Sequence, residues 1–187
     1  MKTFLSRCLT ALLLLGQCLW ITVAQAQPQA LTLLCRSSVA GYSAMLLARD
    51  AQWLGKKGRL VLAVSAPDYP PFDITTTGTA FEGLTADYAG LLKQLLNVEI
   101  EVQRYPSREE ALAAIKQGTA DLLGTSNRFE AQDPQLLMSS AYAVDQPVLV
   151  TQAGSSQPLD PELAGKRLAM LYHYLPRQEV EAFYPKA

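Results

Sequence analysis

Residues 60–92, LVLAVSAPDYPPFDITTTGTAFEGLTADYAGLL, decide the fold that this sequence predicts. They begin with the apolar run 60–64, whose β-branched members are typical of a strand buried on both faces. Pro70 and Pro71 end that strand because proline cannot continue a hydrogen-bonded ladder. Residues 75–79 predict a turn, and apolar residues at helical spacing then predict an amphipathic helix over 84–96.

The residues that follow repeat the alternation of strand and helix. Alternating apolar and polar residues at 98–103 predict a second strand. Ser107 and Glu110 form a capping box that begins a helix, and Gly118 ends it. Residues 120–125 predict a third strand. The β-α-β-α-β order predicts an α/β fold with a parallel sheet and right-handed connections. If the first strand lies between the other two, which is strand order 2-1-3, ligands are expected to bind beyond the carboxyl ends of the strands beside it.

The first loop at those carboxyl ends holds Asp68, Tyr69 and Phe72 on a backbone stiffened by Pro70 and Pro71. Two aromatic rings on a rigid loop could clamp a small organic solute, and the carboxylate could accept a hydrogen bond from an amine. The alternative is a proline-braced turn whose aromatic rings only fill the core. The pattern alone leaves both interpretations open.

The second loop at the same edge holds Thr125, Ser126, Asn127 and Arg128. Hydroxyl and amide groups at a strand end could fix a carboxylate or an amide, and Arg128 could pair with an acid. A solvated turn is the alternative. Further along, Tyr142 is expected either in the core or in the ligand cleft.

The segments before the first predicted strand are an export signal and a lead-in. Residues 1–26 have a positive start, an apolar run over 9–23 and small residues at 24–26, which predict a signal peptide cleaved after Ala26. An uncleaved membrane anchor is the alternative, but the run is short for a span. Residues 27–58 form the lead-in. It has a short helix at 50–54 that ends at 55–58.

Cysteine usage gives one further expectation for the lead-in. After cleavage Cys35 is the sole cysteine, so an internal disulfide is excluded. We expect this side chain to be a small buried apolar group rather than a reactive thiol.

Composition excludes several classes of function. The chain has 187 residues, 16 basic and 17 acidic side chains, and a formal net charge of −1. This even balance argues against a nucleic-acid partner. His173 is the single histidine and no metal motif is present, so no metal site, cofactor or catalytic residue is expected. No apolar run after the signal is long enough to cross a membrane.

Several stretches together resemble a known family. They are residues 60–92, RYPSREEALAAIKQGTADLLGTSN (104–127), YAVDQPVLVTQ (142–152), LAGKRLAMLYHYLP (163–176) and the lead-in YSAMLLARDAQWLGKKG (42–58). The sequence resembles the periplasmic Venus-flytrap domains of BvgS/EvgS-type hybrid sensor histidine kinases. These are a branch of the bacterial family 3 extracellular solute-binding proteins. The resemblance covers nearly all of residues 40–187.

The resemblance implies a type II periplasmic-binding-protein clamshell, in which a ligand lies between two lobes. Residues 59–150 would form lobe 1, and residues 151–187 would be the crossover and the start of an incomplete lobe 2, with a strand at 168–171 and a short helix to about Tyr184. The stretch 146–152 resembles the crossing into lobe 2. The resemblance also implies which residues line the cleft: Asp68, Tyr69, Phe72, Thr125, Ser126, Asn127 and Tyr142. The chain is therefore expected to be a fragment that binds ligand weakly or not at all by itself.

The resemblance also implies a function. The chain would be the periplasmic ligand-sensing module of a two-component sensor kinase, with an amino acid or small organic acid as ligand. It would not be an enzyme itself. Its partners in full-length relatives would be a tandem flytrap domain or the kinase dimer. The alternatives are a free-standing solute-binding protein of an ABC importer and, less directly, a dehydratase or a domain fused to a peptidoglycan lyase.

Overall fold

A computed structural model describes residues 27–39, 41–144, 148–154, 158–170 and 175–187. The predicted signal peptide, the beginning of the predicted crossover at 146–147, Leu171 and His173 lie outside the described residues. Within the described ranges, no helix combines the length and the apolar character that a bilayer crossing requires.

The strands of the described chain join one sheet in the order β3-β4-β1-β5-β2-β6. Their bounds are Gln29–Leu33 (β1), Arg59–Ser65 (β2), Ile74–Thr76 (β3), Ala80–Glu82 (β4), Glu99–Tyr105 (β5) and Leu122–Leu123 (β6). Strand β2 is parallel to β5 on one side and to β6 on the other, and Leu62 lies opposite both Val102 and Leu122. The predicted parallel core of order 2-1-3 is confirmed, although the third strand is shorter than predicted.

The described residues contain four helices. Their bounds are Ala48–Lys57 (α1), Leu84–Leu96 (α2), Arg108–Gln117 (α3) and Arg177–Phe183 (α4), with a 3₁₀ turn at Glu130–Gln132. The predicted capping box is confirmed in its first half, because the Ser107 hydroxyl accepts from the Glu110 N–H at 3.2 Å. Gly118 ends α3 with a φ of 71°, as the sequence predicted.

Alternate side chains of β2 enter two different cores. Leu60, Leu62 and Val64 pack with the buried side of α2, whereas Val61 and Ala63 pack with α3. Both faces of this strand are therefore covered, which explains why its sequence is continuously apolar. The sheet thus holds the carboxyl ends of β2 and β6 side by side at one edge of the lobe.

Two parts of the sheet were not predicted. β1 comes from the lead-in and lies between β4 and β5, parallel to the first and antiparallel to the second. Only Leu31 of its five residues is buried, so the strand has no strong apolar pattern. The turn predicted at 75–79 is observed at 77–79, but it joins two short paired strands, β3 and β4, that were not predicted. The proposed boundary between lead-in and lobe 1 at residue 59 stays a prediction, but the sheet extends into the lead-in.

The helix predicted at 50–54 is observed, but it is longer: α1 continues through Gly55 and ends at Gly58, within the predicted 55–58, because one glycine inside a helix is a tolerated cost and the positive φ of 74° occurs at Gly58. Two other local predictions were wrong. Cys35 is exposed rather than buried, although its side chain lies against Gly90 of α2. Residues 168–170 form no strand, because no neighbouring strand of the described chain pairs with them.

Candidate ligand-binding site

Two loops meet at the edge where β2 and β6 end. We call residues 66–73 loop 1 and residues 124–129 loop 2. Between them lies a cavity of about 700 Å³, which residues 136–143 and two side chains of the C-terminal region also line. The structure brings seven of the eight predicted site residues to this cavity: Tyr69, Phe72, Thr125, Ser126, Asn127, Arg128 and Tyr142.

Loop 1 presents two aromatic rings on a backbone that is held at both ends. The Tyr69 N–H donates to the Asp73 carbonyl at 2.8 Å, and the Asp73 N–H donates back to the Tyr69 carbonyl at 3.0 Å. The rings of Tyr69 and Phe72 stack with centroids 5.5 Å apart and planes 12° from parallel. Both residues are only partly buried and line the cavity, so the rings do more than fill the core.

Asp68 lies outside the cavity lining and braces loop 1 instead. Its carboxylate accepts from Arg104 Nη2 at 2.9 Å and from the Thr75 N–H and hydroxyl at 2.6 and 3.0 Å. Burial raises the pKa of Asp68, but the Thr75 and Arg104 contacts together outweigh it and hold this pKa below its usual value. The carboxylate is thus engaged by Thr75 and Arg104 in this structure, and its role as acceptor for a ligand amine stays a prediction.

Loop 2 is held by a buried ion pair that sequence reasoning missed. Arg108, 7% exposed, donates from Nε and Nη2 to the two carboxylate oxygens of Glu130, both at 2.7 Å. The same guanidinium donates to the Thr125 carbonyl. Burial raises the pKa of Glu130, but the contacts with Arg108, Ser126 and Asn127 outweigh it and lower this pKa. Arg108 thereby fixes both ends of loop 2.

The polar side chains of loop 2 are partly engaged within the loop. The Ser126 hydroxyl donates to Glu130 at 3.0 Å, and Asn127 Oδ1 accepts from the Phe129 N–H at 2.9 Å. Arg128 is exposed, and its guanidinium lies 5.0 Å from the centre of the Phe129 ring. Within the described part of the chain Arg128 forms no ion pair, which leaves a cationic group at the mouth of the cavity.

Tyr142 forms part of the cavity wall, and its hydroxyl and ring are held by residues of lobe 1. Its hydroxyl donates to the Gly124 carbonyl at 3.0 Å and lies 3.0 Å from the Thr85 hydroxyl. Its ring stacks on Tyr88 with centroids 4.7 Å apart. Burial raises the pKa of Tyr142 above its ordinary value. The ring is half-buried and lines the cavity, and a role of Tyr142 in ligand binding stays a prediction.

The arrangement suits a small, partly apolar solute. Apolar side chains, five of them aromatic, form much of the wall, and the charges of Arg108 and Glu130 neutralise each other within it. In the described ranges no cluster of three His, Cys, Asp or Glu side chains could hold a metal ion.

The family of this chain follows from a comparison with known proteins. The family model for bacterial extracellular solute-binding proteins, family 3, matches residues 61–184. The chain belongs to this family. As a family 3 solute-binding protein it has the Venus-flytrap fold that the resemblance implied.

This family 3 chain is similar in sequence to a group of sensor proteins. It is 42% identical over 182 residues to the virulence sensor protein BvgS of Bordetella parapertussis, which is 95% of this chain and 15% of that protein. It is 26% identical over 144 residues to the sensor protein EvgS of Escherichia coli O157:H7, covering 74% of this chain and 12% of EvgS. The chain therefore spans about one seventh or less of the length of these curated relatives.

A solved structure agrees with this placement. The crystal structure of the B. pertussis BvgS periplasmic domain matches with a TM-score of 0.70 and 41% identity, over 84% of this chain and 31% of that one. The predicted resemblance to BvgS/EvgS-type periplasmic flytrap domains is confirmed by this match together with the sequence comparisons. The shared region of BvgS is periplasmic.

Proposed function

We propose that this chain is the ligand-sensing periplasmic module of a two-component sensor histidine kinase. The observation that carries the proposal is the cavity at the carboxyl ends of β2 and β6, where Tyr69, Phe72 and residues 125–128 meet. Identity of 42% to a sensor protein across nearly the whole chain supports sensing rather than import.

The ligand we propose is a small organic acid or amino acid held against the stacked rings of loop 1. Arg128 at the mouth would pair with its carboxylate, since a guanidinium is a strong donor to that group. Signalling would then follow from a shift between open and closed forms, because a ligand favours the form it contacts better. In the full-length protein the partners would be a second flytrap domain or the kinase dimer.

Ligand binding can be tested by saturation-transfer NMR on the full chain with amino acids and small carboxylic acids. We expect at least one acid to give a signal that weakens on Tyr69→Ala and Arg128→Gln. The matched control is Tyr42→Ala, which removes a ring that is 74% exposed and outside the cavity lining. A panel with no signal, or signals unchanged by the two loop variants, would contradict the proposed site.

Affinity should be low for the chain by itself. A flytrap ligand makes its contacts with both lobes, and in the described chain all but two of the residues that line the cavity lie between Tyr69 and Ala143. We expect dissociation constants in the millimolar range, about −4 kcal/mol, by titration calorimetry. A micromolar constant, about −8 kcal/mol, would contradict this expectation.

The sensing role requires a signalling assay. Residues 61–184 can replace the matched region of B. pertussis BvgS, and kinase autophosphorylation can be measured with and without the acid identified by NMR. We expect the acid to change autophosphorylation in the chimera and not in a chimera carrying Tyr69→Ala. A chimera that is active but indifferent to the acid would argue against sensing while leaving binding intact.

The proposed location is the periplasm, with a leader removed after Ala26. Mass spectrometry of the exported chain would test this directly. We expect a mature protein that begins at Gln27, and an N-terminus at Met1 in the periplasmic fraction would contradict it.

A further inference from the structure

The carboxylate of Glu130 is surrounded by hydrogen-bond donors from three residues. Arg108 donates to its two oxygens from Nε and Nη2, both at 2.7 Å. The Ser126 hydroxyl donates to Oε2 at 3.0 Å, and the Asn127 N–H donates to the same oxygen at 3.3 Å. A planar fork that faces both oxygens, with a hydroxyl and an amide N–H beside it, is a donor set suited to a carboxylate. We call Arg108, Ser126 and Asn127 the carboxylate cradle.

The cradle lies in the wall of the ligand cavity. All three of its residues line that cavity, and so does Glu130. The side chain of Arg108 is 7% exposed and that of Glu130 is 13% exposed, so solvent screens this pair only weakly. An anion inside the cavity would therefore meet the guanidinium in a largely dry place, where a charge-assisted hydrogen bond is strong.

Arg108 and Glu130 are attached to the fold with different firmness. Arg108 lies in the first turn of α3, whose Ala111 and Ala114 are buried in the core beside β2. Glu130 begins a 3₁₀ turn of three residues, none of which is buried. A single 3₁₀ turn with few buried contacts opens at a lower free-energy cost than a packed helix. The guanidinium of the cradle is therefore fixed, whereas the carboxylate that fills it is on a segment that can move away.

We propose that the cradle is a carboxylate-binding subsite of the cavity, which Glu130 fills as an internal ligand and which an external small carboxylate takes when Glu130 leaves. Because Glu130 is tethered beside the cradle, it competes at a high effective concentration and keeps the subsite closed to weakly binding acids. An acid that displaced Glu130 would free the end of loop 2 that this residue fastens. That displacement rests on the proposed function, whereas the subsite itself does not.

The other charged groups of loops 1 and 2 are compatible with an incoming anion. Asp68 and Asp73 each accept a hydrogen bond from another side chain at 2.9 Å. Arg128 is exposed and lines the cavity, and a cation there favours the approach of an anion. Loss of the Glu130 carboxylate would leave the buried guanidinium of Arg108 without its counter-ion, which is the condition in which an external carboxylate stabilises the protein most.

Chemical rescue of Glu130→Ala by acetate tests the subsite on the full chain. Urea unfolding at pH 7 is measured in sodium acetate and in sodium chloride at the same concentration. The unmodified chain reports the general effect of acetate on stability, because Glu130 already fills its cradle. Beyond that effect, about 100 mM acetate should raise the folding equilibrium constant of Glu130→Ala about tenfold, as a dissociation constant of about 10 mM implies. Acetamide, which has a similar shape but no charge, should not do so.

Three further variants keep the test decisive. Glu101→Ala removes a carboxylate from a half-exposed pair with Arg59, and the double variant with Arg108→Met and Glu130→Ala removes both charges at the cradle. Both should show only the general effect of acetate. Glu130→Gln keeps the side-chain volume, so it serves if Glu130→Ala does not fold. Saturation-transfer NMR should give a stronger acetate signal with Glu130→Gln than with the unmodified chain, where Glu130 competes.

The outcomes separate this subsite from the proposed sensing role. The subsite is overturned if acetate stabilises Glu130→Ala no more than the unmodified chain or the double variant, or if Glu130→Gln gives no stronger acetate signal. Acids that still give signals dependent on Tyr69 would then leave the proposed function standing. Rescue of Glu130→Ala by acetate, combined with an acid panel that gives no signal on the unmodified chain, would support the subsite and contradict the proposed ligand.

Discussion

Loops 1 and 2 line the same cavity but are held in different ways. Loop 1 is fixed chiefly by its own backbone, through two adjacent prolines and the reciprocal hydrogen bonds of Tyr69 and Asp73, with the Asp68 carboxylate as an added brace. Loop 2 is fixed by side chains, chiefly the ion pair between Arg108 of α3 and Glu130. A loop held by its backbone tolerates the loss of single side chains, whereas a loop held by one buried ion pair does not.

Loop 1 is also joined to α2 by its carbonyl groups. The N–H groups of Leu84 and Thr85 donate to the carbonyls of Pro71 and Phe72 at 3.0 and 3.2 Å. These bonds supply acceptors to the first turn of α2, which has no side-chain cap. The comparison therefore predicts a ranking of effects, with the ion pair of loop 2 first and the exposed rings of loop 1 last.

The largest effect is expected for Arg108→Met. The variant leaves the Glu130 carboxylate in a mostly buried place without its counter-ion, which typically costs about 3–5 kcal/mol. Urea unfolding of the full chain measures this loss. The matched control is Arg59→Met, which breaks a half-exposed pair with Glu101 and should cost less than about 1 kcal/mol. Equal losses in the two variants would contradict the ranking.

The pH dependence of stability should identify the same pair. Glu130 has a folded pKa below its unfolded value of 4.5, so it stabilises the fold above pH 4.5 and that contribution is lost as pH falls through the folded pKa. We expect the unfolding free energy to drop more steeply below pH 4.5 in the unmodified chain than in Glu130→Gln. Parallel curves for the two proteins would contradict this.

Gly83→Ala should come next, because it disturbs the join between loop 1 and α2. Gly83 has a φ of 108°, and a Cβ there would lie 2.3 Å from the Phe72 carbonyl oxygen. We expect a loss of about 2–3 kcal/mol in urea unfolding, from backbone strain and a displaced helix start. Gly78→Ala is the control: it has positive φ but open space around it, and should cost about 1 kcal/mol.

Asp68→Asn should have a smaller effect of about 1 kcal/mol, because the amide keeps one acceptor for Thr75 but loses the charge that pairs with Arg104. Thermal unfolding at pH 7 measures it. Asp68 has a lowered pKa, so the difference between variant and unmodified chain should shrink as pH falls below 3.8. A difference that is constant with pH would show that the charge of Asp68 does not matter.

The smallest effect on stability is expected for Tyr69→Ala. The ring is only partly buried and stacks on Phe72 at the cavity wall, so its loss should cost about 1 kcal/mol or less. Urea unfolding checks this. A cost comparable with Arg108→Met would mean that loop 1 depends on its rings and not on its backbone.

The sequence was sufficient for the parts of the fold that local patterns encode. The apolar run 60–64, the spacing over 84–96 and the cap at Ser107 each predict one element, and each is observed. The parallel direction of the strands followed from connection rules, and the carboxyl ends of the strands indicated the edge where the cavity lies. Those rules do not fix the order 2-1-3, which the structure shows. β1 was not predicted, because a strand with only one buried residue has no alternation of apolar and polar residues.

The site was predictable in position but not in its internal contacts. Residues that follow β2 and β6 could be placed at one edge because parallel strands end together. The pairing of Arg108 with Glu130 could not be predicted, because Arg108 lies in the first turn of a helix, where a charged side chain is normally expected to be exposed to solvent. The sequence does not distinguish Asp68 from Asp73. Only the fold shows that Asp68 braces loop 1 through Arg104, whereas the Asp73 carboxylate is buried.

The central place of β1 has a consequence for how the protein matures. The hairpin of β3 and β4 reaches the rest of the sheet through β1, which begins only two residues beyond the proposed cleavage point. A leader still docked in the export machinery would hold those residues extended and away from their neighbours. Completion of the sheet would then have to wait for leader removal, so that processing, rather than synthesis, would time the last step of folding.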